Sequence, residues 1–383
     1  MHPMVKPALR RAWRNLQYVQ FGVTPAHAVV VGPVDTTTGS LIGLMDGTRG
    51  IDLLREEGRA LGLDEDRVDV LVSRLAAAGL LADATAGREG AAASGRRGGE
   101  PDPVRADLES LSVVHREPDG AVRRWSARRT ARVQVRGAGR VGAAVAALLS
   151  ASGVGRVEVL DSGPVEPWDV SPGGLPPEAV GERRTTAARR LVGRSAPGGR
   201  VPRARQAADA PGAGAGRPVS LIVVAPRDGL GAYLPDPVPA GEWVAAGTPH
   251  LYAGVAEATG VVGPLVLPGG TACAGCMERE RTDREPVWPR MLAQWRSGGP
   301  GAVPACDLGL ATVVAGLAAA HALAFLDGEL PASVGARWET SSPLLEWRSE
   351  RVVPYAGCDC GAVADGEGER ASGGGAAHDT MAG

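Results

Sequence analysis

The chain has 383 residues, which is enough for two or three domains of ordinary size. It carries 41 basic and 43 acidic residues, so no charge excess predicts a nucleic-acid partner or an anionic membrane surface. No apolar run approaches the roughly 20 residues of a membrane span, and the basic first residues lack the apolar core of a signal peptide. A cytoplasmic protein that binds neither nucleic acid nor membrane is expected.

Residues 1–83 are predicted to form a small winged-helix-like α+β domain. Two β-rich stretches, 18–22 and 27–31, predict a hairpin. The stretch 40–58 predicts two helices around a glycine turn, and a third helix is expected between the N-cap residue Asp64 and the stop signal Gly79. The modest charge of this region argues against DNA binding.

The rest of the chain divides by composition into a linker, a large domain and a tail. Residues 84–103 are rich in Gly, Ala, Ser and Arg and predict a flexible linker, and the Gly- and Ala-rich residues 362–383 predict a disordered tail. Between them, 104–361 is expected to be one domain. Its first part, 104–130, predicts a helix, a turn and a strand.

From residue 131 onward, strands and helices alternate as they do in α/β proteins with a doubly wound, Rossmann-like sheet. Four segments are the candidate strands of this sheet. They are Arg132–Arg136, Val157–Leu160, Leu221–Ala225 and Trp243–Ala246.

A glycine-rich turn follows the first of these strands. Gly137 permits a tight turn, Gly139 lets the backbone approach a phosphate, and Gly142 lets the next helix pack closely on the strand. Asp161 ends the second strand, at the place where a carboxylate accepts hydrogen bonds from a ribose. The turn therefore predicts a nucleotide site rather than a ligand-free joint, but it does not distinguish a nicotinamide cofactor from ATP.

Four of the five cysteines form two close pairs. Cys273 and Cys276 make a CxxC motif, and Cys358 and Cys360 are separated by one residue. Four thiolates favour a closed, structural zinc site over two unrelated reduced pairs, and a nicotinamide oxidoreductase does not predict such a site. Cys306 precedes an apolar helix; without a histidine nearby in the sequence, it is interpreted as a small packed residue rather than a nucleophile.

In combination, the glycine turn, Asp161, the cysteine pairs and the stretch "PACDLGLATVVAGLAAAHALAFLDG" resemble the ThiF/MoeB family of the ubiquitin-activating-enzyme-like superfamily. The resemblance implies ATP and Mg²⁺ binding, adenylation of the C-terminal carboxylate of a small protein, zinc on the two cysteine pairs, and a homodimer. The phrases "LMDGTRGIDLL" and "LVSRLAAAGLL" resemble the PqqD-like peptide-binding domain, or RiPP recognition element. Together the two parts resemble ThiF-like leader-peptide-binding proteins of azoline (TOMM) biosynthesis, in which a cyclodehydratase partner uses the ATP.

Several adenylation residues that the resemblance implies are absent. Gly163 stands at the position of the family's second acid, Asp169 at that of its Asn, and Pro172 at that of its Arg. Arg184 stands at the position of its Lys. The later Asp-x-x-Asp motif begins with Ala225 and ends with Asp228. Arg is not equivalent to Lys at a catalytic position. One hypothesis is therefore a degenerate site in a protein that presents a leader peptide to its partner. The alternative is an active adenylyltransferase in which Arg184 and Asp228 are catalytic.

Overall fold

The computed structural model describes residues 1–86, 104–198, 218–297, 303–363 and 380–381. The chain divides into two compact units. The first comprises Met1–Ser126 with Glu369–Gly383, and the second comprises Ala127–Gly368. Most of the expected linker (84–103) and most of the expected disordered tail (362–383) lie outside the described residues.

The first unit contains two small sheets. Its strands are β1 (Pro3–Val5), β2 (Arg11–Trp13), β3 (Val19–Phe21), β4 (Val29–Val31) and β5 (Leu81–Asp83). β1 pairs with β5, and β2, β3 and β4 form an antiparallel meander whose last strand also pairs with Thr380–Met381 (β13). The predicted hairpin is confirmed as β3 and β4. The other strands of this unit were missed because two or three residues give no readable period.

Three helices pack on these sheets as the sequence predicts. They are α1 (Thr36–Leu44), α2 (Ile51–Ala60) and α3 (Glu65–Ala77). In α3, Val68, Val72 and Leu75 are buried because they recur on one face of the helix. Gly79 lies just beyond its end with φ of +76°, a conformation that favours glycine.

The segment 104–130 differs from the expected helix, turn and strand. It forms two helices, α4 (Arg105–Val114) and α5 (Gly120–Thr130), so the predicted strand is wrong. Helical geometry brings Arg123 within 3.2 Å of Asp119, an i,i+4 ion pair that a strand could not make. Residues 104–126 belong to the first unit, where the Lys6 ammonium donates to the His115 carbonyl at 2.9 Å.

The second unit has a seven-stranded sheet in the order β12-β11-β10-β9-β8-β6-β7. The strands are β6 (Arg132–Arg136), β7 (Arg156–Leu160), β8 (Leu221–Val224), β9 (His250–Ala256), β10 (Thr259–Val266), β11 (Ala336–Ser341) and β12 (Arg348–Arg351). β7, β6, β8 and β9 are parallel, and β10 to β12 continue the sheet antiparallel. The predicted α/β class is confirmed.

Helices pack on both faces of this sheet. They are α6 (Arg140–Ala151), α7 (Arg184–Ser195), α8 (Leu230–Tyr233), α9 (Pro237–Ala245), α10 (Ala274–Arg284), α11 (Trp288–Ser297) and α12 (Leu308–Leu326). The core on one face joins α6 and α12 to residues such as Val133 and Val135 of β6. A smaller core joins Ile222 of β8 to Trp243 of α9 and Met277 of α10.

The predicted strand Trp243–Ala246 is wrong, because this segment is the end of α9. The helix begins with Pro237 at its first position, and the Asp236 carboxylate accepts a hydrogen bond from the Val238 N–H at 3.0 Å. Trp243 lies on the buried face of the helix together with Ala240, whereas Ala245 and Ala246 are exposed. The next strand is β9, which begins four residues after Ala246.

α12 corrects one expectation about apolar segments. Within the described part of the chain, Leu308–Leu326 is the one helix long and apolar enough to cross a membrane by length and composition. Leu310, Val314 and Ala318 of this helix are buried in the core that contains β6, β9 and β10. One side of the helix therefore packs in the core, while its other side, which includes Leu308 and Val313, is exposed.

Candidate nucleotide and metal sites

The glycine turn lies at the carboxyl ends of β6, β7 and β8, where ligands of open α/β sheets bind. Gly137 has φ of +120°, and a Cβ there would lie 1.8 Å from the Ala225 carbonyl oxygen. A Cβ on Gly142 would lie 2.2 Å from the Gly137 carbonyl oxygen. Both positions therefore require glycine, so that the turn can pass this close to β8 and α6 can start against it.

α6 begins at this turn, with Gly139 as its N-cap in extended conformation. The first N–H groups of a helix have no carbonyl partner within the helix, and the helix dipole favours an anion at this end. The turn thus has the backbone geometry of a phosphate cradle.

Asp161 lies beside the turn, but protein groups already bind both of its carboxylate oxygens. The Ala138 N–H donates to Oδ2 at 2.6 Å. The Ser162 N–H donates to Oδ1 at 2.5 Å, and Arg184 Nε donates to the same oxygen at 3.0 Å. Asp161 therefore connects the glycine turn to the start of α7.

Arg184 is buried, and its guanidinium is surrounded by acceptors from the segment after β7. Besides the bond to Asp161, Nη1 donates to the Pro164 carbonyl and Nη2 to the Ser162 carbonyl. Nη1 also lies 3.6 Å from a carboxylate oxygen of Asp169. Through these contacts Arg184 holds the segment after β7 against the start of α7 and has a structural role.

Gly163 occupies the expected position of a second acid. Its φ is +81°, and a Cβ at this position would lie 3.0 Å from Arg184 Nη2. The glycine therefore allows the chain to pass close to the guanidinium. The same close packing explains why Gly163 has no side chain and why Arg184 is buried beside it.

Asp169 and Arg227 form a second ion pair that sequence analysis missed. Asp169 is almost completely buried, accepts the Glu166 N–H at 2.9 Å and is 2.5 Å from Arg227 Nε. The Arg227 guanidinium lies 5.5 Å from the centre of the Trp168 ring. The sequence signal that could have found it was the position of Arg227, three residues after β8, whose carboxyl end lies beside the glycine turn.

Asp228, a candidate catalytic residue, has an exposed side chain. Its carboxylate accepts the Leu230 N–H at 3.1 Å at the start of α8. Within the described ranges, no hydrogen bond or ion pair joins Asp228 to Arg184. The two candidate catalytic residues are thus not in direct contact.

The two cysteine pairs come together in space, as the sequence predicts. Cys273 is the N-cap of α10, Cys276 lies in its first turn, and Cys358 and Cys360 lie in the turn after β12. All four sulfur atoms lie within 4.8 Å of one another. The Sγ–Sγ distance is 3.9 Å from Cys273 to Cys276, 3.6 Å from Cys273 to Cys358 and 3.6 Å from Cys276 to Cys360.

These distances exclude disulfides, which need about 2 Å between sulfurs. They agree with the edge of a tetrahedron around zinc, which is ~3.8 Å when the metal–sulfur bond is ~2.3 Å. The hydrogen bond from Cys273 lowers the pKa of the Cys276 thiol, and Arg279 Nη1 lies 3.2 Å from the Cys358 sulfur. The hydrogen bond favours a thiolate at Cys276, the form that binds metal, whereas burial raises the pKa of the Cys358 thiol.

Cys306 lies outside this cluster. Burial raises the pKa of its thiol, which disfavours a thiolate nucleophile. Its carbonyl oxygen accepts a hydrogen bond of 2.5 Å from Arg140, the first residue of α6.

The chain is thus an α/β protein with a glycine turn at the carboxyl ends of its parallel strands and a cluster of four cysteines that could hold a metal ion. A sequence model described as the ThiF family matches residues 125–362, so the chain belongs to the ThiF family. No match was found among curated proteins.

Solved structures of E. coli MccB have the same fold, and so does a structure of the Microcin C7 biosynthetic enzyme MccB in complex with N-formylated MccA. The complex with N-formylated MccA has a TM-score of 0.65 and 16% identity, and the match covers 94% of this chain and 100% of MccB. The complex with ATP has a TM-score of 0.64 and 16% identity, covering 94% of this chain and 99% of MccB. The heterocyclase TruD matches with a TM-score of 0.58 and 15% identity, over 94% of this chain and 43% of TruD.

Proposed function

We propose that this ThiF-family protein captures a precursor peptide through its first unit and presents it to an ATP-using, cyclodehydratase-like partner enzyme. In this proposal the chain's own adenylation site is degenerate and does not adenylate the peptide. The observation that carries it is the environment of Arg184, whose guanidinium binds Asp161 and the carbonyls of Ser162 and Pro164. To bind a triphosphate, this side chain would have to break those buried bonds.

The arrangement of carboxylates also supports an altered site. Adenylation needs Mg²⁺ on the triphosphate, and Mg²⁺ binds through carboxylate oxygens. Asp161 and Asp169 are both paired with arginines, and Ala225 offers no ligand at the first position of the later motif. Asp228 is the carboxylate that is left to hold Mg²⁺ if ATP binds.

We also propose a structural zinc ion. Zinc bound by Cys273, Cys276, Cys358 and Cys360 would hold the C-terminal segment against α10.

We expect a cytoplasmic homodimer, with contacts that include the exposed side of α12, where Leu308 is 42% and Val313 47% exposed. Light scattering on the purified protein tests the dimer.

A groove in the first unit is the place where we propose that the peptide binds. It has a volume of about 340 Å³, and Met4, Leu9, Ile42 and Met45 supply apolar surface. Arg11, which also lines the groove, begins β2, an exposed strand that pairs on one side with β3. An extended peptide can add to the β2 edge and place an apolar side chain in the groove.

Substitution of Gly43 by Trp tests this site. Gly43 lines the groove, and no atom lies within 4 Å of a Cβ at this position, so the indole should fill the groove while the unit stays folded. We expect binding of labelled precursor peptides encoded beside the gene to weaken at least about tenfold, as measured by fluorescence anisotropy. The matched control is Gly241→Trp in α9, where a Cβ also meets no atom. Equal affinities of the two variants would exclude the groove.

The second candidate function is an active adenylyltransferase that forms an acyl-adenylate on a peptide or protein carboxylate. The complexes of MccB with ATP and with MccA favour it, because their fold extends over 94% of this chain. ATP–pyrophosphate exchange with Mg²⁺ and candidate peptides distinguishes the two functions. We expect no exchange above that of a Gly139→Asp control, whose carboxylate would repel phosphate at the start of α6. Exchange above that control would support the adenylyltransferase.

A further inference from the structure

Several hydrogen-bond donors near the glycine turn are buried without an acceptor. In the part of the chain that the structure describes, this holds for Arg227 Nη2, Trp168 Nε1 and Arg140 Nε. Buried polar groups normally have partners, and leaving a donor unpaired costs about 1–3 kcal/mol. All three groups are N–H donors, so a ligand that satisfies them must supply acceptors.

Two of the three donors belong to residues beside the start of α6, and the third belongs to a residue in contact with one of these two. Arg140 follows Gly139 directly, and the Arg227 Cα would lie 3.1 Å from a Cβ on Gly139. Trp168 lies under the Arg227 guanidinium at 5.5 Å. A ligand that accepts a hydrogen bond from Arg227 beside Gly139 would also lie near the positive end of the helix dipole, which favours an anion.

We propose that Arg227 is the phosphate-binding cation of this site, in place of the Lys that the family has at the position of Arg184. This inference goes beyond the proposed function, in which the adenylation site is altered, because it requires that the altered site still binds ATP. Arg184 cannot serve without breaking its bonds to Asp161 and two carbonyls. Arg227 uses Nε for Asp169 and keeps Nη2 unpaired, so the ion pair orients the side chain and leaves part of the guanidinium for a phosphate.

Asp169 and Trp168 are then positioning residues for Arg227. Asp169 is fixed in turn by the Glu166 N–H, and the Trp168 ring supports the guanidinium from one side. Phosphate groups accept several hydrogen bonds, which suits the planar guanidinium.

Calorimetric titration of the full-length protein with ATP and with adenosine tests this inference. We expect ATP to bind wild-type protein, adenosine to bind much more weakly, and Arg227→Ala to weaken ATP binding about tenfold to a hundredfold. Arg227→Lys should recover part of the loss, because it keeps a charge without the planar fork. Adenosine binding should change little in either variant, since adenosine has no phosphate.

The matched control is Arg189→Ala, which removes the same charge from an exposed position in α7. It should bind ATP like the wild type, and thermal unfolding of each variant separates misfolding from lost contacts. ATP affinity in Arg227→Ala equal to that of Arg189→Ala, or no ATP binding by the wild type, would overturn the inference. Peptide binding to the first unit is measured separately, so either result leaves the peptide-capture proposal standing.

Discussion

Replacement of Cys273 by Ser is expected to remove stoichiometric zinc and to destabilise the second unit by at least ~5 kcal/mol. Structural zinc sites contribute their binding free energy to folding, with apparent values of about 10–16 kcal/mol in small zinc domains. The Cys273 sulfur lies 3.9 Å from that of Cys276 and 3.6 Å from that of Cys358, so its loss removes one of the four vertices of the tetrahedron. Metal analysis and thermal unfolding measure the two effects.

Cys306→Ser is the matched control for this experiment. It makes the same chemical change at a partly buried cysteine outside the cluster. This variant should keep about one zinc per chain and unfold near the wild-type temperature. Equal metal content in the Cys273 and Cys306 variants, or a wild type that purifies without metal, would refute the zinc site.

Arg184→Ala is the second change with a large expected effect, a loss of about 3 to 5 kcal/mol in the free energy of unfolding. Removing one partner of a buried ion pair leaves the other charge uncompensated. Here the substitution affects two carboxylates, because Arg184 contacts both Asp161 and Asp169, and it also leaves the Ser162 and Pro164 carbonyls without this donor. Denaturant unfolding of the full-length protein gives the difference.

Two further variants test whether the loss of stability comes from the contacts of Arg184. Arg184→Lys should recover part of the stability, since an ammonium retains the charge but cannot reach four acceptors with a planar fork. Arg194→Ala, at an exposed position in the same helix, should change stability by less than about 0.5 kcal/mol. If Arg184→Ala were as stable as Arg194→Ala while losing pyrophosphate exchange, Arg184 would be a catalytic cation and the structural role would be wrong.

The sequence by itself determined the features that depend on local chemistry. Gly137 and Gly142 were recognisable because a strand, a tight turn and a helix follow each other directly, and short-range sterics require glycine there. The α/β class followed from the alternation of strands and helices. The two cysteine pairs were predicted to meet because thiolates at such spacings have few other uses in a chain that is expected to be cytosolic.

The tertiary structure alone decided how the charges near the glycine turn are used. Arg184 and Asp161 are 23 residues apart, and Arg227 and Asp169 are 58 apart, so no local pattern connects them. Trp243 formed a helix rather than a strand because burial against Ile222 and a capped helix start outweighed its β propensity. An ion pair depends on distance in space, and only the packing of α7 and the ends of β7 and β8 sets those distances.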